Sequence, residues 1–103
     1  MKAGNYTIKW RYFQRFRKPL AGEPVKPDQT LIYDGTDTSC TIELNGVYHA
    51  SGMAHCTPTD IFCKDKGRKL SLARALKAVP LLSRSERNNI WQVYRRMTKK
   101  PRW

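Results

Sequence analysis

The sequence is poor in acidic side chains, in cysteine and in long hydrophobic runs, and each shortage excludes a class of protein. No segment approaches the roughly 18 consecutive apolar residues of a membrane-spanning helix. The opening residues, "MKAGNYTIKWRYF", lack the apolar segment of a secretory signal. With 103 residues, of which 40% are hydrophobic, the chain can form one domain with a small core. We therefore expect a single domain over residues 1–98, a basic tail over 99–103, and no membrane partner.

Cysteine is too scarce for a disulfide scaffold. Cys40, Cys56 and Cys63 are odd in number and form no C-x-x-C pair, which favours a reducing cytosol. His49 and His55 lie near two of these cysteines, but the paired spacing of four zinc ligands is missing. Acids are also too few in the basic segments for paired catalytic carboxylates. We expect no metal, no cofactor and no enzymatic activity, and a cysteine or zinc enzyme is an alternative hypothesis.

Positive charge is absent from the middle of the chain and concentrated on either side of it. Residues 27–63 contain no Lys or Arg and carry a net charge of −5, whereas residues 1–26 carry +6 and residues 64–103 carry +11. The total of +12 exceeds the magnitude of about 2–8 that solubility requires. This segregation indicates a polyanionic partner: DNA, RNA, a phosphorylated ligand or an acidic protein surface.

Residues 5–16 alternate with the period of a half-buried strand. Aromatic and β-branched side chains fall on one face: Tyr6, Ile8, Trp10 and Tyr12. A proline-rich loop is predicted over 17–28, and "TLIYD" is predicted to be a short edge strand ended by the turn "DGTD". The aromatics of "RYFQRFRK", among them Phe13 and Phe16, are interpreted as core residues. Base stacking on a sheet is the alternative role for them.

The segment "SCTIELNGVYHAS" predicts a β-hairpin with a type I′ turn at Asn45-Gly46. A two-residue turn pairs Leu44 with Val47, Ile42 with His49 and Cys40 with Ser51. The inner face would then carry Cys40, Ile42, Leu44, Val47 and Met53, and a bulge is expected at Ser51-Gly52.

Three helices are predicted after the hairpin. Thr57 is the expected N-cap of a helix over 58–66, and Gly67 is expected to end it and to start a second helix over 68–78. The segment Ser83 to Glu86 forms a capping box for a third helix over 84–98, whose apolar stripe is Ile90, Val93, Tyr94 and Met97. The predicted fold is α+β: a small antiparallel sheet, made of the N-terminal strand and the Asn-Gly hairpin, followed by two or three helices packed on one face. Its core would join the hairpin to Ile61, Phe62, Leu70, Leu76, Ile90 and Tyr94.

Two basic segments are candidate phosphate-binding or nucleic-acid-binding sites. In the first, a helix start at Gly67 would offer free backbone N–H groups to an anion, but there is no Walker loop, and a solvated helix face explains the pattern equally well. In the second, helical spacing aligns Arg, Asn and Gln, which can read base edges; Trp91 fits either contact or core packing. The candidate residues are Lys64, Lys66, Arg68, Lys69, Arg74, Arg84, Arg87, Asn88, Trp91, Arg95, Arg96 and Lys99.

The run "IWQVYRRMTKK", residues 90–100, resembles the recognition helix of homeodomains, which carries I-W-x-x-N-R-R-M. Tyr94 stands where that family has its base-reading Asn, so no base-reading residue carries over. The remainder of the chain is rich in predicted strands, unlike a homeodomain.

A wider resemblance covers residues 38–97. It rests on P-x-D-x-F-x-K-x-x-G-R-K-x-x-L-x-R-A-L, which here is Pro58, Asp60, Phe62, Lys64, Gly67, Arg68, Lys69, Leu72, Arg74, Ala75 and Leu76. The run resembles small uncharacterised accessory proteins of tailed bacteriophages. The resemblance implies a phage origin and a role in taking over host functions or blocking host defences, and it assigns no active site.

Together these features predict a small basic phage-encoded binding protein without enzymatic activity. Its expected partner is nucleic acid or a host ribonucleoprotein or defence complex in the host cytoplasm, where it would inhibit host defence as anti-CRISPR proteins do. The alternative is an inhibitor that docks directly on an acidic host protein surface, or one that sequesters a phosphorylated nucleotide. A homo-oligomer is compatible with both.

Overall fold

The computed structural model describes residues 1–24, 26–28, 30–58 and 64–98, and it confirms the α+β prediction. Four strands form one antiparallel sheet in the order β1-β2-β3-β4, and two helices follow. The elements are β1 (Lys2–Ala3), β2 (Tyr6–Arg17), β3 (Ile32–Leu44), β4 (Val47–Cys56), α1 (Lys64–Ala78) and α2 (Arg84–Thr98).

Strand β2 confirms the period-two pattern of the sequence. Tyr6 and Ile8 are buried, whereas Lys9 and Arg11, on the other face, are exposed. The two-residue strand β1 was not predicted, because so short a segment has no period to recognise. It pairs with the start of β2, and the Ile8 N–H donates to the Met1 carbonyl at 2.8 Å.

Strand β3 corrects two predictions. "TLIYD" is not an edge strand and "DGTD" is not a turn, because β3 begins at Ile32 within the first segment, continues through the second and lies between β2 and β4. Gly35 takes a φ of 115°, and the β2–β3 register shifts beside it, between Arg15 and Phe16. The glycine therefore serves a β-bulge inside a continuous strand, where its freedom at positive φ is also needed.

The hairpin turn is confirmed, but the predicted pairing beyond it is wrong. Asn45 and Gly46 have φ angles of 52° and 80°, and Leu44 pairs with Val47. The register then shifts by one residue at His49, instead of at Ser51-Gly52, so that Ile42 pairs with Ala50 and Cys40 with Gly52. Met53 consequently lies outside the core, at 41% exposure. Val47 keeps its predicted partner but is also outside the core, at 63% exposure. Small residues take the inner positions of β4: Ala50, Gly52 and Ala54.

Helix α1 continues through Gly67, so the predicted break there is wrong. A Cβ atom at Gly67 would lie 2.5 Å from Thr38 Oγ1, which shows that the glycine allows the helix to approach β3 closely. Gly52 does the same on β4, where a Cβ would lie 2.4 Å from both Ser71 O and Ala75 N of α1. The predicted N-terminal helix over 58–66 falls largely on residues 59–63, outside the described part of the chain.

Helix α2 begins and ends as predicted, and its capping box is formed. The Glu86 N–H donates to Ser83 Oγ at 3.1 Å, and the Ser83 N–H donates to Glu86 Oε1 at 3.3 Å. Its apolar stripe is only partly confirmed, because Met97 is 44% exposed.

The core lies between the sheet and the two helices. Leu72, Leu76, Ile90 and Tyr94 pack there with Ile8, Cys40 and Ile42 of the sheet. The prediction for Leu70 is wrong, since it points away from the sheet at 40% exposure, and Ile61 and Phe62 lie outside the described residues.

The helices share one face of the sheet and run in opposite directions. Helix α1 packs on β3 and β4, and α2 packs on β1 and on Trp10 of β2. The connection between them, residues 79–83, joins one pair of ends, and a hydrogen bond from Tyr94 to Asp65 joins the opposite pair. The other face of the sheet carries no helix among the described residues, and none of the helices described there has the length and apolar character needed to cross a membrane.

Candidate nucleic-acid interface

The outward side of α2 is a surface of arginine and amide side chains. Arg84, Arg87, Arg95 and Arg96 are all exposed, and we call these four residues the arginine face. Asn88 and Gln92 are exposed beside them. At a rise of 1.5 Å per residue, the face extends over roughly 18 Å of helix.

The one carboxylate of α2 is engaged at the start of the helix. Glu86 accepts from the Ser83 N–H in the capping box, and hydrogen bonds from Tyr6 and Ser83 lower its pKa. Across the described ranges, no ion pair involves Arg84, Arg87 or Arg96. The positive charge of these arginines is therefore available to a partner.

The inner side of α2 fixes the direction of the arginine face. Tyr94 is fully buried, and its ring packs edge-on against Trp10 at 5.8 Å and against Trp91 at 6.0 Å. Its hydroxyl donates to Asp65 Oδ1 at 2.6 Å; burial is the main reason why the pKa of Tyr94 is raised. Tyr94 therefore cannot read a base, and Trp91 lies at the border of the core rather than on the exposed surface.

Two cations at the start of α1 are directed at aromatic rings of β2. The Arg68 Nε donates to the Tyr12 hydroxyl at 2.6 Å, and its guanidinium lies 6.0 Å from the centre of the Trp10 ring. The Lys64 ammonium lies 5.4 Å from the centre of the Tyr12 ring. Such cation–π contacts hold the side chains against the protein.

Two further cations of α1 have partners, and two others are open to solvent. Lys69 Nζ lies 3.1 Å from Asp65 Oδ2, and an Arg74 guanidinium N–H donates to the Met53 carbonyl at 2.6 Å. Lys66 and Lys77 are exposed, and neither forms an ion pair within the described ranges. Of the five predicted α1 residues, four therefore contact other groups of the protein and Lys66 is open to solvent; Lys77 was not among them.

The anion site expected at Gly67 is absent, because this residue lies inside α1 and not at a helix start. The Gly67 carbonyl accepts from Ser71 Oγ at 2.7 Å, as is ordinary within a helix. Lys99, the last predicted site residue, lies outside the described part of the chain.

Three acids of the middle segment, Asp34, Asp37 and Glu43, are paired with cations of β2. Arg15 lies 2.7 Å from Asp37 and 3.6 Å from Asp34, and Lys9 lies 3.4 Å from Glu43. Arg17 also contacts Asp34, at 3.5 Å, and it forms two hydrogen bonds with Glu23. The arginine of this pair is the main cause of the low Glu23 pKa, about 2. These acids therefore neutralise Lys9, Arg15 and Arg17 and not the cations of α2.

The core assignment of the β2 aromatics is wrong for two of them. Phe13 is 48% exposed on the helix-free face, and Phe16 is 54% exposed with its ring against Tyr33. Phe13 alternates with Lys9 and Arg11 and therefore points away from the helices, whereas Phe16 lies just beyond the register shift at Arg15.

No group of three or more metal-ligating side chains occurs in the described part of the chain. Cys40 is buried, which raises the pKa of its thiol to about 12, so it is a poor nucleophile at neutral pH. His55 Nδ1 lies 2.8 Å from Asp37 Oδ1, a carboxylate that Arg15 also contacts.

Local patterns could not reveal the internal roles of Arg68 and Arg74. Their partners, a tyrosine hydroxyl of β2 and a main-chain carbonyl of β4, are distant in sequence. The exposed cations Lys2 and Arg11 were also outside the predicted site, although the alternation of β1 and β2 places them on one face.

Comparison with protein-family models, with curated proteins and with solved structures gives no significant match for this chain.

Proposed function

We propose that the chain is a non-enzymatic binding protein that contacts double-stranded DNA, alone or within a host complex, through the arginine face of α2. The observation that supports this most directly is a helix surface with four exposed arginines whose single carboxylate is engaged in the cap. Arginine matches phosphate geometry, and the neighbouring Asn88 and Gln92 have the amide groups that pair with adenine edges.

The free lysines of α1 extend this surface. Lys66 and Lys77 lie on the outward side of the neighbouring helix and could contact the phosphate backbone beside the groove that α2 faces. Phosphate contacts supply affinity without sequence preference, so sequence reading would depend on the amides of α2.

The proposal is tested by measuring the salt dependence of binding to a labelled DNA duplex. Replacing Arg84, Arg87 and Arg95 with Gln removes up to three phosphate contacts. The slope of log affinity against log salt should then become shallower by about 3, and binding at low salt should become much weaker. Because these side chains are exposed, the thermal unfolding midpoint should change little.

A matched control removes the same charge elsewhere. Lys2, Arg11 and Lys18 are exposed cations of the sheet side, and their triple replacement with Gln should leave duplex binding close to that of the wild type. Equal losses in both triple variants would mean that net charge, and not the arginine face, determines binding. An unchanged affinity in the α2 variant would refute the proposal.

The resemblance to phage accessory proteins extends the proposal to a biological role. In this role the protein acts in the host cytoplasm on a nucleic-acid-containing defence complex, in the manner of an anti-CRISPR protein. Affinity purification from host lysate with and without nuclease tests it. Partners that are lost on nuclease treatment support contact through nucleic acid, whereas a stoichiometric protein that resists nuclease supports direct docking on an acidic protein surface.

A further inference from the structure

The helix-free face of the sheet has a composition of its own. We call it the open face and define it by the outward side chains of the four strands. Register places Lys9, Thr41 and Ser51 in one row across the sheet, and Arg11, Ser39 and Met53 in the next. The flanking rows are Thr7, Glu43 and Tyr48 on one side, beside Lys2, and Phe13, Asp37 and His55 on the other.

Cations lie along one side of the open face. Lys2, Lys9 and Arg11 are exposed on β1 and β2, and within the described ranges Lys2 and Arg11 have no ion pair. The two acids of the face are already engaged: Glu43 with Lys9, and Asp37 with Arg15 and His55. The open face therefore keeps two unpaired cations, Lys2 and Arg11, on either side of the Lys9–Glu43 pair, and a polyanion can contact both.

Two exposed aromatic side chains and one methionine lie on the same face as the cations. Phe13 is 48% exposed at one end of the face, and Tyr48 is 61% exposed at the other. Met53 lies between them on β4, at 41% exposure. Aromatic rings exposed on a sheet surface can be buried by stacking against a flat group. The unpaired bases of a single-stranded nucleic acid are such groups.

The spacing of the rows suits an extended strand. Outward side chains repeat about every 7 Å along a β-strand, and β2 and β4 are separated by about 10 Å across β3. A backbone lying along the cations of β2 can thus project bases across β3 toward β4. Between them lie the hydroxyl residues Ser39 and Thr41, and hydroxyls of this kind can pair with 2′-hydroxyl groups. The Ser51 hydroxyl already accepts from the Tyr48 hydroxyl at 3.0 Å.

We propose that the open face is a binding site for single-stranded RNA, in which Lys2 and Arg11 hold phosphates and Phe13 and Tyr48 stack bases. The site lies on the opposite side of the sheet from the arginine face. It does not depend on that face, and the protein can hold a duplex and a single strand at the same time.

The test uses fluorescence anisotropy with a labelled oligouridylate of about ten nucleotides. Single-strand-binding domains in general cover about 4–16 nucleotides. Phe13→Ala and Tyr48→Ala should each weaken binding by about tenfold. Arg11→Gln should also weaken binding. It removes one phosphate contact, so the slope of log affinity against log salt should become shallower by about 0.7. Phe16→Ala, on the same strand beyond the bulge, and Lys18→Gln serve as controls and should bind like the wild type. The variants are compared only where thermal unfolding shows that they remain folded.

Three results would overturn the inference. The first is wild-type affinity for oligouridylate in both Phe13→Ala and Tyr48→Ala. The second is loss of oligouridylate binding in the triple variant of Arg84, Arg87 and Arg95, which would place a single site on the helices. The third is equal or tighter binding of an oligothymidylate, which would remove the assignment to RNA. If the triple variant of Arg84, Arg87 and Arg95 no longer binds duplex but still binds oligouridylate, the open-face site is supported independently of the arginine face. If the wild type binds oligouridylate but not duplex, only the proposed function fails.

Discussion

Replacement of Gly52 by alanine tests how closely α1 approaches the sheet. The added Cβ would lie 2.4 Å from Ser71 O and from Ala75 N, about 1 Å inside an ordinary contact. Both atoms belong to the helix backbone, so no side chain can rotate to relieve the overlap. Helix α1 must therefore move away from β4 by about 1 Å, and the contacts that its buried residues Leu72 and Leu76 make with the sheet must loosen.

The magnitude follows from packing. A gap of 0.5–1 Å removes a quarter to a half of the dispersion energy of each affected contact, and overpacked cores typically lose about 1–3 kcal/mol. Alanine offsets about 0.5–1 kcal/mol of this, because glycine has more conformational freedom in the unfolded chain. We expect a net loss of about 1 kcal/mol, or a fall in Tm of about 6 °C for a domain of this size.

The assay is thermal unfolding followed by circular dichroism, with Ser51→Ala as the control. Ser51 is next in the strand but exposed on the open face, so its replacement should change stability by less than about 0.5 kcal/mol. A Gly52→Ala variant as stable as the wild type, or more stable, would refute the close approach of α1 to β4.

Two other predictions concern the side chains that join the helices to the sheet. Tyr94→Phe removes the hydrogen bond to Asp65 and should destabilise the fold by about 1 kcal/mol, since Asp65 is half exposed. Hydrogen bonds from Tyr94 and Lys69 lower the pKa of Asp65, so the stabilisation is complete above the unfolded pKa of about 4 and is lost as pH falls through the lower folded value. Denaturant titrations between neutral and acidic pH should therefore show a shallower acid loss of stability in Tyr94→Phe, and parallel curves would contradict this. The thiol of Cys40 is buried and has a pKa of about 12, so it should resist alkylation by iodoacetamide until denaturant unfolds the protein. Peptide mass spectrometry measures the modification, and rapid alkylation of Cys40 in the folded protein would disprove its burial.

Much of the fold is predictable from sequence because the relevant interactions are local. The alternation of β2, the positive φ angles of Asn45-Gly46 and the hydrogen bonds of Ser83 with Glu86 each depend on neighbours in the chain. The same holds for Arg84, Arg87 and Arg95, which helical spacing alone places along one side of α2, with Arg96 beside them.

The errors involve glycine and strand register, which tertiary contacts decide. The sequence predicts interruptions at Gly67 and Gly35, but the first glycine allows a helix to pack on Thr38 and the second forms a bulge within β3. The sequence alone does not show whether a glycine is needed for a positive φ angle or for close packing against a neighbouring element. The bulge at His49 also moved the inner face of β4 by one residue, because Ala50 and Gly52 leave room for α1 and the predicted positions would not.

The candidate α1 site could not be divided in advance for a similar reason. Arg68 and Lys66 are two residues apart and chemically alike, yet one is bound to Tyr12 and the other is exposed. Only the position of α1 over the sheet distinguishes them.

The matching of middle-segment acids to β2 cations gives the molecule a permanent electric dipole. The part of the sheet formed by the end of β2 and the start of β3 is close to electroneutral, because Arg15 and Arg17 are paired with Asp34, Asp37 and Glu23. The two helices, by contrast, retain most of their positive charge. In the field of a polyanion, a dipole of this kind experiences a torque that turns the helical layer forward during diffusion, before any atom touches. The protein would thus arrive already oriented, and added salt would slow its capture before it weakened the final contacts.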